Sequence, residues 1–243
     1  VRLIPADLSD AASLTEAMMI CRPDEVYNLA AQSFVEASFE TPVSTGNVTG
    51  LAVPRVLEAI RVTGNEARFY FAATSEMFGK SYSINNQPLK ESDFFYPMSP
   101  YAAAKLYGYW ITRIYREAYG LFAVNGILFN HESPLRGLDF VTRKIANGVA
   151  RISLGLGKEL KLGNLDARRD WGYAPEYVES MWLMLQQEEP DDYVIATGEA
   201  HSVREFVQRA FEMVGLDWQE YVKIDKRLLR PLDVPSLIGD YSK

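Results

Sequence analysis

Short apolar runs alternate along the chain with longer stretches in which apolar residues recur every three or four positions. The short runs predict buried strands, and the longer stretches predict amphipathic helices. Because strands and helices alternate, the pattern favours an α/β fold with a parallel sheet. We predict strands at residues 1–4, 25–30, 68–73, 122–129, 159–162 and 193–196.

The ends of the predicted helices are marked by capping residues, prolines and glycines. Ser9 or Asp10 is suited to cap the first helix, and a Ser-Pro pair begins the long helix that Gly120 ends. Pro54 lies inside an otherwise helical stretch, where a proline costs about 3 kcal/mol, so we expect a kink or break near Val53. Helices are predicted at residues 9–21, within 41–62, and at 99–119, 140–154, 174–187 and 202–215.

Composition narrows the class of protein. The chain of 243 residues is 48% hydrophobic and 23% charged, which is typical of a soluble globular protein. Its net charge of −7 argues against a nucleic-acid partner, and no apolar run is long enough to cross a bilayer.

A single cysteine, Cys21, cannot form an internal disulfide, so we expect a reducing, cytoplasmic compartment. No flexible linker is visible, so any second domain must consist of interleaved segments.

The strongest chemical signal is Tyr101, with Lys105 four residues later. Residues at this spacing share one face of a helix, so the phenol and the ammonium are expected to meet beside one ligand. A free tyrosine titrates near pH 10, so a tyrosine base needs its pKa lowered by about three units, or roughly 4 kcal/mol. The ammonium and a positively charged nicotinamide ring are expected to supply that shift. An isolated pair of this kind is more often part of an ordinary amphipathic helix.

The order of the motifs favours the functional interpretation of this pair. Thr74, Ser75 and Glu76 follow the strand predicted at residues 68–73, and ligands of open parallel sheets lie beyond the carboxyl ends of the strands. A hydroxyl and a carboxylate at that place are suited to acid–base catalysis. Alone, such a turn is more often a local cap, but here it precedes the tyrosine and the lysine by one loop.

These motifs resemble the extended short-chain dehydrogenase/reductase superfamily, and longer runs resemble its GDP-mannose 4,6-dehydratase family in particular. The runs are Leu-Ala-Ala-Gln-Ser at 29–33, Phe-Asn-His-Glu-Ser-Pro-Leu-Arg-Gly at 129–137, Phe-Val-Thr-Arg-Lys at 140–144, Leu-Gly-Asn at 162–164 and Arg-Arg-Asp-Trp-Gly-Tyr-Ala-Pro-Glu-Tyr at 168–177. The resemblance extends from residue 1 to about 212 and resumes at 230–234.

The resemblance implies a Rossmann-type doubly wound parallel sheet with a smaller, interleaved substrate-binding domain. The cofactor domain is expected at residues 1–130 plus about 166–196, and the GDP-sugar domain at about 131–165 plus 197–243. Site residues follow position by position, and no metal ligand is implied. The implied catalytic residues are Thr74, Glu76, Tyr101 and Lys105. The implied NADP contacts are Asp7, Leu8, Leu29, Ala30, Ala31, Gln32, Ser33, Tyr101, Lys105, His131 and Arg136. The implied GDP-sugar contacts are Asn130, Val141, Lys144, Leu162, Asn164, Arg169, Arg230 and Asp233.

The implied activity is a hydro-lyase reaction that converts GDP-mannose to GDP-4-keto-6-deoxymannose with NADP. Tyr101 takes the proton of the C4 hydroxyl while the cofactor accepts the C4 hydride, and Glu76 then removes the proton from C5. Water leaves C6, assisted by Glu76 or Thr74, and the hydride returns to C6. Two alternatives stay open: an epimerase or reductase of the same superfamily, and a nucleotide-binding module without activity. The family also implies a homo-oligomer, either a tetramer or a dimer.

The sequence departs from the family pattern in ways that affect the cofactor site. The glycine-rich phosphate loop that follows the family's first strand is absent, as is the segment that reads the 2′-phosphate, so NADP rather than NAD is implied by the family alone. Asp233 stands where the family usually has glutamate. We expect the strand at residues 25–30 to have an unpaired edge. We also expect residues 1–243 alone neither to bind NADP tightly nor to turn over GDP-mannose. Trp171, Trp182 and Trp218 are expected to be packing residues.

Overall fold

A computed structural model describes residues 1–243, apart from the side chain of Asn85. The helices are α1 Ala11–Cys21, α2 Ala37–Glu40, α3 Pro42–Thr45, α4 Ala52–Val62, α5 Ser81–Asn85, α6 Pro100–Tyr119, α7 Val141–Ser153, α8 Ala174–Leu185, α9 Val203–Glu212 and α10 Trp218–Tyr221. A π-helical turn spans Gly46–Gly50, and 3₁₀ turns span Ser75–Met77 and Lys226–Leu228. The strands are β1 Glu25–Asn28, β2 Arg68–Thr74, β3 Ala123–Leu128, β4 Asn130–Glu132, β5 Leu160–Leu162, β6 Arg168–Arg169, β7 Trp171–Tyr173, β8 Asp192–Ile195, β9 His201–Ser202, β10 Val222–Ile224 and β11 Ser236–Leu237.

The main sheet has four parallel strands in the order β1-β2-β3-β8. Helices cover both of its faces, since α6 packs against one side of β2 and β3 and α8 packs against the other. The expected α/β, doubly wound parallel sheet is therefore confirmed. Among the described residues β1 pairs with β2 alone, so the expected unpaired edge beside this strand is also confirmed.

Alternation along β2 explains how one strand serves both faces of the sheet. Phe69 and Phe71 are buried with α4 and α6, whereas Tyr70 between them is buried with α8. Successive side chains of a strand point to opposite faces, so a fully apolar strand is the pattern of a sheet covered on both sides. Burying each of these rings contributes roughly 2 kcal/mol to stability.

A separate apolar cluster lies around α7 and α9. It joins these helices to the two-stranded parallel sheet of β5 and β10, with Ile145, Val149, Val207 and Phe211 buried inside it. The remaining short strands form a mixed sheet β11-β6-β9 and a parallel pair β4-β7. The boundaries predicted for two interleaved domains stay a prediction.

One prediction of local structure is wrong, and a second is confirmed. Residues 1–4 form no strand, because no other described strand lies beside them to share backbone hydrogen bonds. The expected break near Val53 is confirmed, since α4 begins only at Ala52, after the π turn Gly46–Gly50 in which the Leu51 amide donates to the Gly46 carbonyl at 3.0 Å. Pro54 has no amide proton to donate to the Gly50 carbonyl, so the helical hydrogen bonding changes one turn upstream of the proline.

None of the helices in the described part of the chain combines the length and the apolarity that crossing a membrane requires.

Candidate active site

A cavity of about 480 Å³ lies at the carboxyl ends of β2 and β3. Its floor includes Ala72, Thr74 and Leu128 from these strands, and its other walls come from α6, α7, α8 and the segment 228–233. In open parallel sheets, this edge is where ligands bind. The cavity therefore lies where the order of the sequence motifs predicted a ligand site.

Most of the predicted site residues meet in this cavity. They are Leu29, Ala31, Ser33, Thr74, Glu76, Tyr101, Lys105, Asn130, His131, Arg136, Val141, Lys144, Leu162, Asn164, Arg169, Arg230 and Asp233. These side chains come from segments far apart along the chain, so the fold alone brings them together. Their individual roles stay predictions.

Four predicted cofactor contacts lie outside the cavity lining: Asp7, Leu8, Ala30 and Gln32. The Asp7 carboxylate is exposed and accepts the backbone N–H of Ser9 at 2.7 Å. The Gln32 side chain donates to the Phe34 carbonyl at 2.9 Å, and the Gln32 amide donates to Thr49 Oγ1 at 3.1 Å. Asp7 and Gln32 therefore make hydrogen bonds within the protein.

Other side chains line the cavity although the sequence prediction left them out. They include Phe34, Val35, Glu36, Ser75, Glu132, Asp139, Phe140, Trp171, Val178, Met181, Leu228 and Leu229. Trp171, predicted to be a packing residue only, packs edge-to-face on Phe206 at 5.6 Å and also lines the cavity. The residue type of Trp171 gave no indication that it lines the cavity. Glu132, in contrast, lies inside the 129–137 run that resembles the family, so the sequence did offer a signal for this residue.

The tyrosine and the lysine are held by the first two turns of α6. Ser99 caps this helix, its side chain accepting the Ala102 amide at 3.1 Å, and Pro100 occupies the first turn. Tyr101 and Lys105 are both buried, and the Lys105 Nζ lies 5.9 Å from the centre of the Tyr101 ring. The predicted shared face is therefore confirmed.

Helix α6 packs closely against β2, which places Lys105 next to the sheet. Gly108 has no side chain at this contact, and a Cβ there would lie 2.6 Å from Cζ of Phe71. The Lys105 Nζ donates to the Ala72 carbonyl at 2.6 Å and lies 4.9 Å from the centre of the Phe71 ring. The ammonium is thus fixed at the cavity floor, with donors left for a ligand because a lysine carries three.

The electrostatics of Tyr101 differ from the sequence-based expectation. Burial raises the pKa of the Tyr101 phenol to about 12, while the hydrogen bond with Thr74 lowers it, the Glu76 carboxylate raises it and the Arg136 guanidinium lowers it. Lys105 is not among the groups that set this pKa here, and its expected joint effect with a nicotinamide ring stays a prediction. Desolvation favours the neutral phenol, and the ammonium is directed at Ala72 instead.

Lys105 should lower the stability of the fold near neutral pH. Burial lowers the pKa of its ammonium from 10.5 to about 8, a difference that corresponds to roughly 3 kcal/mol. The folded-state pKa is depressed, so the penalty is complete below about pH 8, shrinks as the pH rises and is absent above about pH 10.5. We expect Lys105→Met to raise the free energy of unfolding by about 2 kcal/mol at pH 7, since losing the Ala72 hydrogen bond offsets part of the gain.

Urea unfolding at pH 7 and at pH 10.5 measures this effect. The advantage of Lys105→Met should be present at the lower pH and disappear at the higher one. Lys144→Met is the matched control, because Lys144 lines the same cavity at a half-buried position. A Lys105→Met protein less stable than the parent at pH 7 would contradict the prediction.

Thr74 and Glu76 lie at the carboxyl end of β2. Thr74 caps the 3₁₀ turn Ser75–Met77, its Oγ1 accepting the Glu76 amide at 3.3 Å. The Glu76 side chain is only 12% exposed, and its Oε1 lies 3.6 Å from Nη1 of Arg230. The Glu76 carboxylate, at the end of β2, therefore forms an ion pair with the guanidinium of Arg230 from the C-terminal segment.

The opposite wall is organised around Asp233. Its Oδ1 lies 3.3 Å from Nη2 of Arg169 and 3.9 Å from Nη1 of Arg230, and its Oδ2 accepts from Nδ2 of Asn164 at 3.2 Å. The Arg169 side chain is buried and also donates to the Val234 carbonyl at 2.8 Å. Two arginines gathered beside one cavity suit the charge and the geometry of a diphosphate.

His131 combines a packing role with a place in the lining. One ring nitrogen, Nδ1, lies 2.9 Å from the Phe129 carbonyl oxygen, and the ring stacks on Tyr177 with centres 4.9 Å apart. Burial lowers the pKa of His131, which favours the neutral imidazole at physiological pH. The ring therefore presents a neutral, hydrogen-bonding edge rather than a charge to the cavity.

The side chains at the end of β1 and on α6 fit a nicotinamide dinucleotide. Leu29 and the small residues Ala31 and Ser33 form part of the wall, and Tyr101 and Lys105 line the same cavity. Small side chains permit close approach of a ring, and the hydroxyl and the ammonium are suited to hydrogen-bond ribose hydroxyls. The described residues thus offer both an apolar wall and fixed polar groups for such a cofactor.

Solved structures share this fold and this arrangement of strands. UDP-glucose 4-epimerase of Thermus thermophilus, in complex with NAD, is 28% identical, with a TM-score of 0.87 over 100% of this chain and 77% of the epimerase. RMD from Pseudomonas aeruginosa, complexed with NADPH, shares the fold at 22% identity, with a TM-score of 0.88 over 99% of this chain and 80% of RMD. The fold and the site together define a member of the extended short-chain dehydrogenase/reductase superfamily.

Similarity along the sequence is more specific. The family model described as GDP-mannose 4,6 dehydratase matches residues 1–243. GDP-mannose 4,6 dehydratase 2 of Arabidopsis thaliana is 54% identical over 247 residues, which cover 100% of this chain and 65% of the relative. The chain belongs to the GDP-mannose 4,6-dehydratase family, and the resemblance found in the sequence motifs is confirmed. It spans about two thirds of the length of that relative.

Proposed function

We propose that this chain carries the catalytic site of a GDP-mannose 4,6-dehydratase, a hydro-lyase that forms GDP-4-keto-6-deoxymannose. The observation that supports this most directly is the meeting of Thr74, Glu76, Tyr101 and Lys105 in one cavity that also contains paired arginines. An acid–base set and a diphosphate-binding set within one cavity are what a nucleotide-sugar dehydratase requires. Membership of the family adds the identity of the sugar nucleotide.

A nicotinamide cofactor fits the wall formed by Leu29, Ala31 and Ser33, and we propose NADP. Solved structures with this fold are bound to NAD in one case and NADPH in another. When bound, the nicotinamide supplies the hydride acceptor at C4 of the sugar and the hydride donor at C6. Its positive charge near Tyr101 would also oppose the burial that raises the pKa of this phenol.

The protein's own residues then move the protons. Tyr101, as the phenolate that the bound cofactor's positive charge would favour, accepts the proton of the C4 hydroxyl, and Thr74, which hydrogen-bonds its oxygen, orients it. Glu76 removes the proton from C5, which the neighbouring 4-keto group makes acidic, and Glu76 or Thr74 assists the loss of water from C6. Lys105 holds its charge at the cavity floor beside these groups.

Arg230 connects substrate binding with the base. Its guanidinium lies 3.6 Å from Glu76 and 3.9 Å from Asp233. A diphosphate that binds Arg230 competes with Glu76 for the same guanidinium, because an arginine forms its strongest pairs with carboxylates and phosphates. Substrate binding then leaves the Glu76 carboxylate with fewer charge partners and better able to accept a proton.

Incubation of the purified full-length protein with GDP-mannose and NADP tests the proposal. We expect GDP-4-keto-6-deoxymannose, detected by mass spectrometry and NMR as loss of water and appearance of a 6-methyl group. A C4 epimer or a reduced sugar would identify an epimerase or reductase instead. Binding of the nucleotide sugar without any product would identify an inactive binding module.

Nucleotide selectivity is a separate prediction. Lys144 and Asn164 line the cavity and are proposed to contact the guanine edge, whereas Arg169 and Arg230 are proposed to hold the diphosphate. We expect Arg230→Ala to weaken GDP and UDP equally, by about tenfold, and Lys144→Ala to weaken GDP alone by about tenfold. Calorimetric titration of both nucleotides measures this, and equal losses of GDP and UDP in Lys144→Ala would rule out the guanine assignment.

Homo-oligomeric assembly and a cytoplasmic location are further proposals that rest on the family and on the single, unpaired Cys21.

A further inference from the structure

Glu132 is a partly buried carboxylate that the proposed chemistry does not use. It ends β4 and its side chain is only 19% exposed at the cavity wall. Its Oε2 accepts the hydroxyl of Thr142 at 2.5 Å and lies 3.3 Å from Nε of Arg136. Burial raises the pKa of Glu132 above its ordinary value, and Thr142 and Arg136, which both favour the charged form, offset only part of this rise.

Arg136 depends on this carboxylate for its position. Its guanidinium carbon lies 3.7 Å from the centre of the Phe140 ring, which fixes the plane of the group but not its rotation within that plane. The Nε is buried without an aligned hydrogen-bond acceptor, so Glu132 acts on it as a close ionic partner. Loss of the negative charge would leave a partly buried guanidinium held by the ring alone.

Thr142 connects the same carboxylate to a different wall. It lies in the first turn of α7, whose preceding residue, Phe140, supplies no side-chain cap. The hydroxyl bond to Glu132 therefore fixes this end of the helix to β4. The same turn carries Val141 and Lys144, which both line the cavity.

We propose that Glu132 is a positioning residue that fixes both halves of the cavity through one carboxylate. It orients Arg136 on the cofactor side and the first turn of α7, with Val141 and Lys144, on the nucleotide-sugar side. The identity of the two ligands rests on the proposed function, whereas the two contacts of Glu132 do not.

Two substitutions separate the two contacts. Glu132→Gln keeps an oxygen that accepts the Thr142 hydroxyl but removes the charge that faces Arg136. In the full-length protein we expect about a tenfold loss of NADPH affinity, measured by fluorescence titration, with GDP affinity unchanged by calorimetry. Thr142→Val removes the hydroxyl and keeps the charge, so we expect about a fivefold loss of GDP affinity with NADPH affinity unchanged.

A coupled variant distinguishes positioning from a general effect on the fold. In an Arg136→Ala background, Glu132→Gln should cause no further loss of NADPH affinity, because the group that it orients is gone. Glu176→Gln is the matched control, since this exposed glutamate borders a neighbouring cavity and should leave both affinities unchanged.

The inference is overturned if Glu132→Gln weakens NADPH equally with and without Arg136, or if both variants weaken both ligands to the same extent. Unchanged affinities in both variants would also overturn it. A parent protein that binds neither GDP nor NADPH would instead overturn the proposed function. If Glu132→Gln does not fold, Thr142→Val still tests the contact on the nucleotide-sugar side. A loss of GDP affinity without a loss of NADPH affinity supports that contact, and any other result overturns it.

Discussion

Tyr101→Phe should lower turnover of GDP-mannose by about 10³-fold and leave the fold intact. The substitution removes the phenolate oxygen that accepts the C4 proton, while the ring keeps its place on α6. Without that acceptor the first oxidation cannot proceed, so no reduced cofactor should accumulate on the enzyme when GDP-mannose is added. Single-turnover absorbance of the reduced nicotinamide measures this step directly.

Binding measurements are the control for this variant. GDP affinity and the thermal midpoint should stay close to those of the parent, because the phenol is buried and its loss leaves no unpaired charge. Tyr109→Phe is a poor control, since the Tyr109 hydroxyl donates to Asp192 in the core at 2.9 Å. Exposed Tyr107→Phe, on the same helix, is the better comparison. Accumulation of reduced cofactor by Tyr101→Phe at the parent rate would contradict the assigned role.

Glu76→Gln should separate the oxidation from the elimination. Tyr101 remains, so C4 oxidation should continue, whereas removal of the C5 proton should slow by at least about 10²-fold because an amide is not a base. Exchange of C5–H with deuterated solvent measures the lost step. The variant should therefore hold reduced cofactor far longer than the parent, which forms it only transiently, since the second half of the reaction is blocked.

The Arg230 contact adds a second readout for Glu76→Gln. Glu76 lies 3.6 Å from this guanidinium, so neutralising the carboxylate removes a competitor of the diphosphate for Arg230. We therefore expect GDP affinity to rise severalfold, the fold-change that corresponds to the loss of one part-buried ion pair. Glu36→Gln, which changes an acidic residue elsewhere in the lining, should alter neither the exchange nor the affinity. Exchange at the parent rate in Glu76→Gln would show that another group is the base.

Local signals in the sequence determined most of the regular structure. The Ser-Pro start and glycine end of α6, and the continuous apolar run of β2, are short-range features, so their positions were predicted to within a residue or two. The strands missed, such as β6 and β9, have only two residues each and no periodicity to detect. The strand predicted at residues 1–4 was wrong because a strand needs a neighbour that sequence pattern cannot supply.

Seventeen residues of the cavity lining were also identified from the sequence, through the family resemblance of their motif runs. The pairing of those residues was not. Glu76 with Arg230 and Arg169 with Asp233 are joined across 154 and 64 positions, respectively, and nothing in local sequence links them. Only the tertiary structure decided these contacts. The same holds for Glu132, whose carboxylate contacts both Thr142 and Arg136.

The sequence by itself determined that a tyrosine and a lysine share one helix face beside a Thr-Ser-Glu turn, since helix geometry fixes that spacing. It did not determine how either group titrates. The raised pKa of Tyr101 and the lowered pKa of Lys105 come from burial beneath residues distant in sequence. Desolvation depends on how the whole chain packs around a group, and only the tertiary structure decided that.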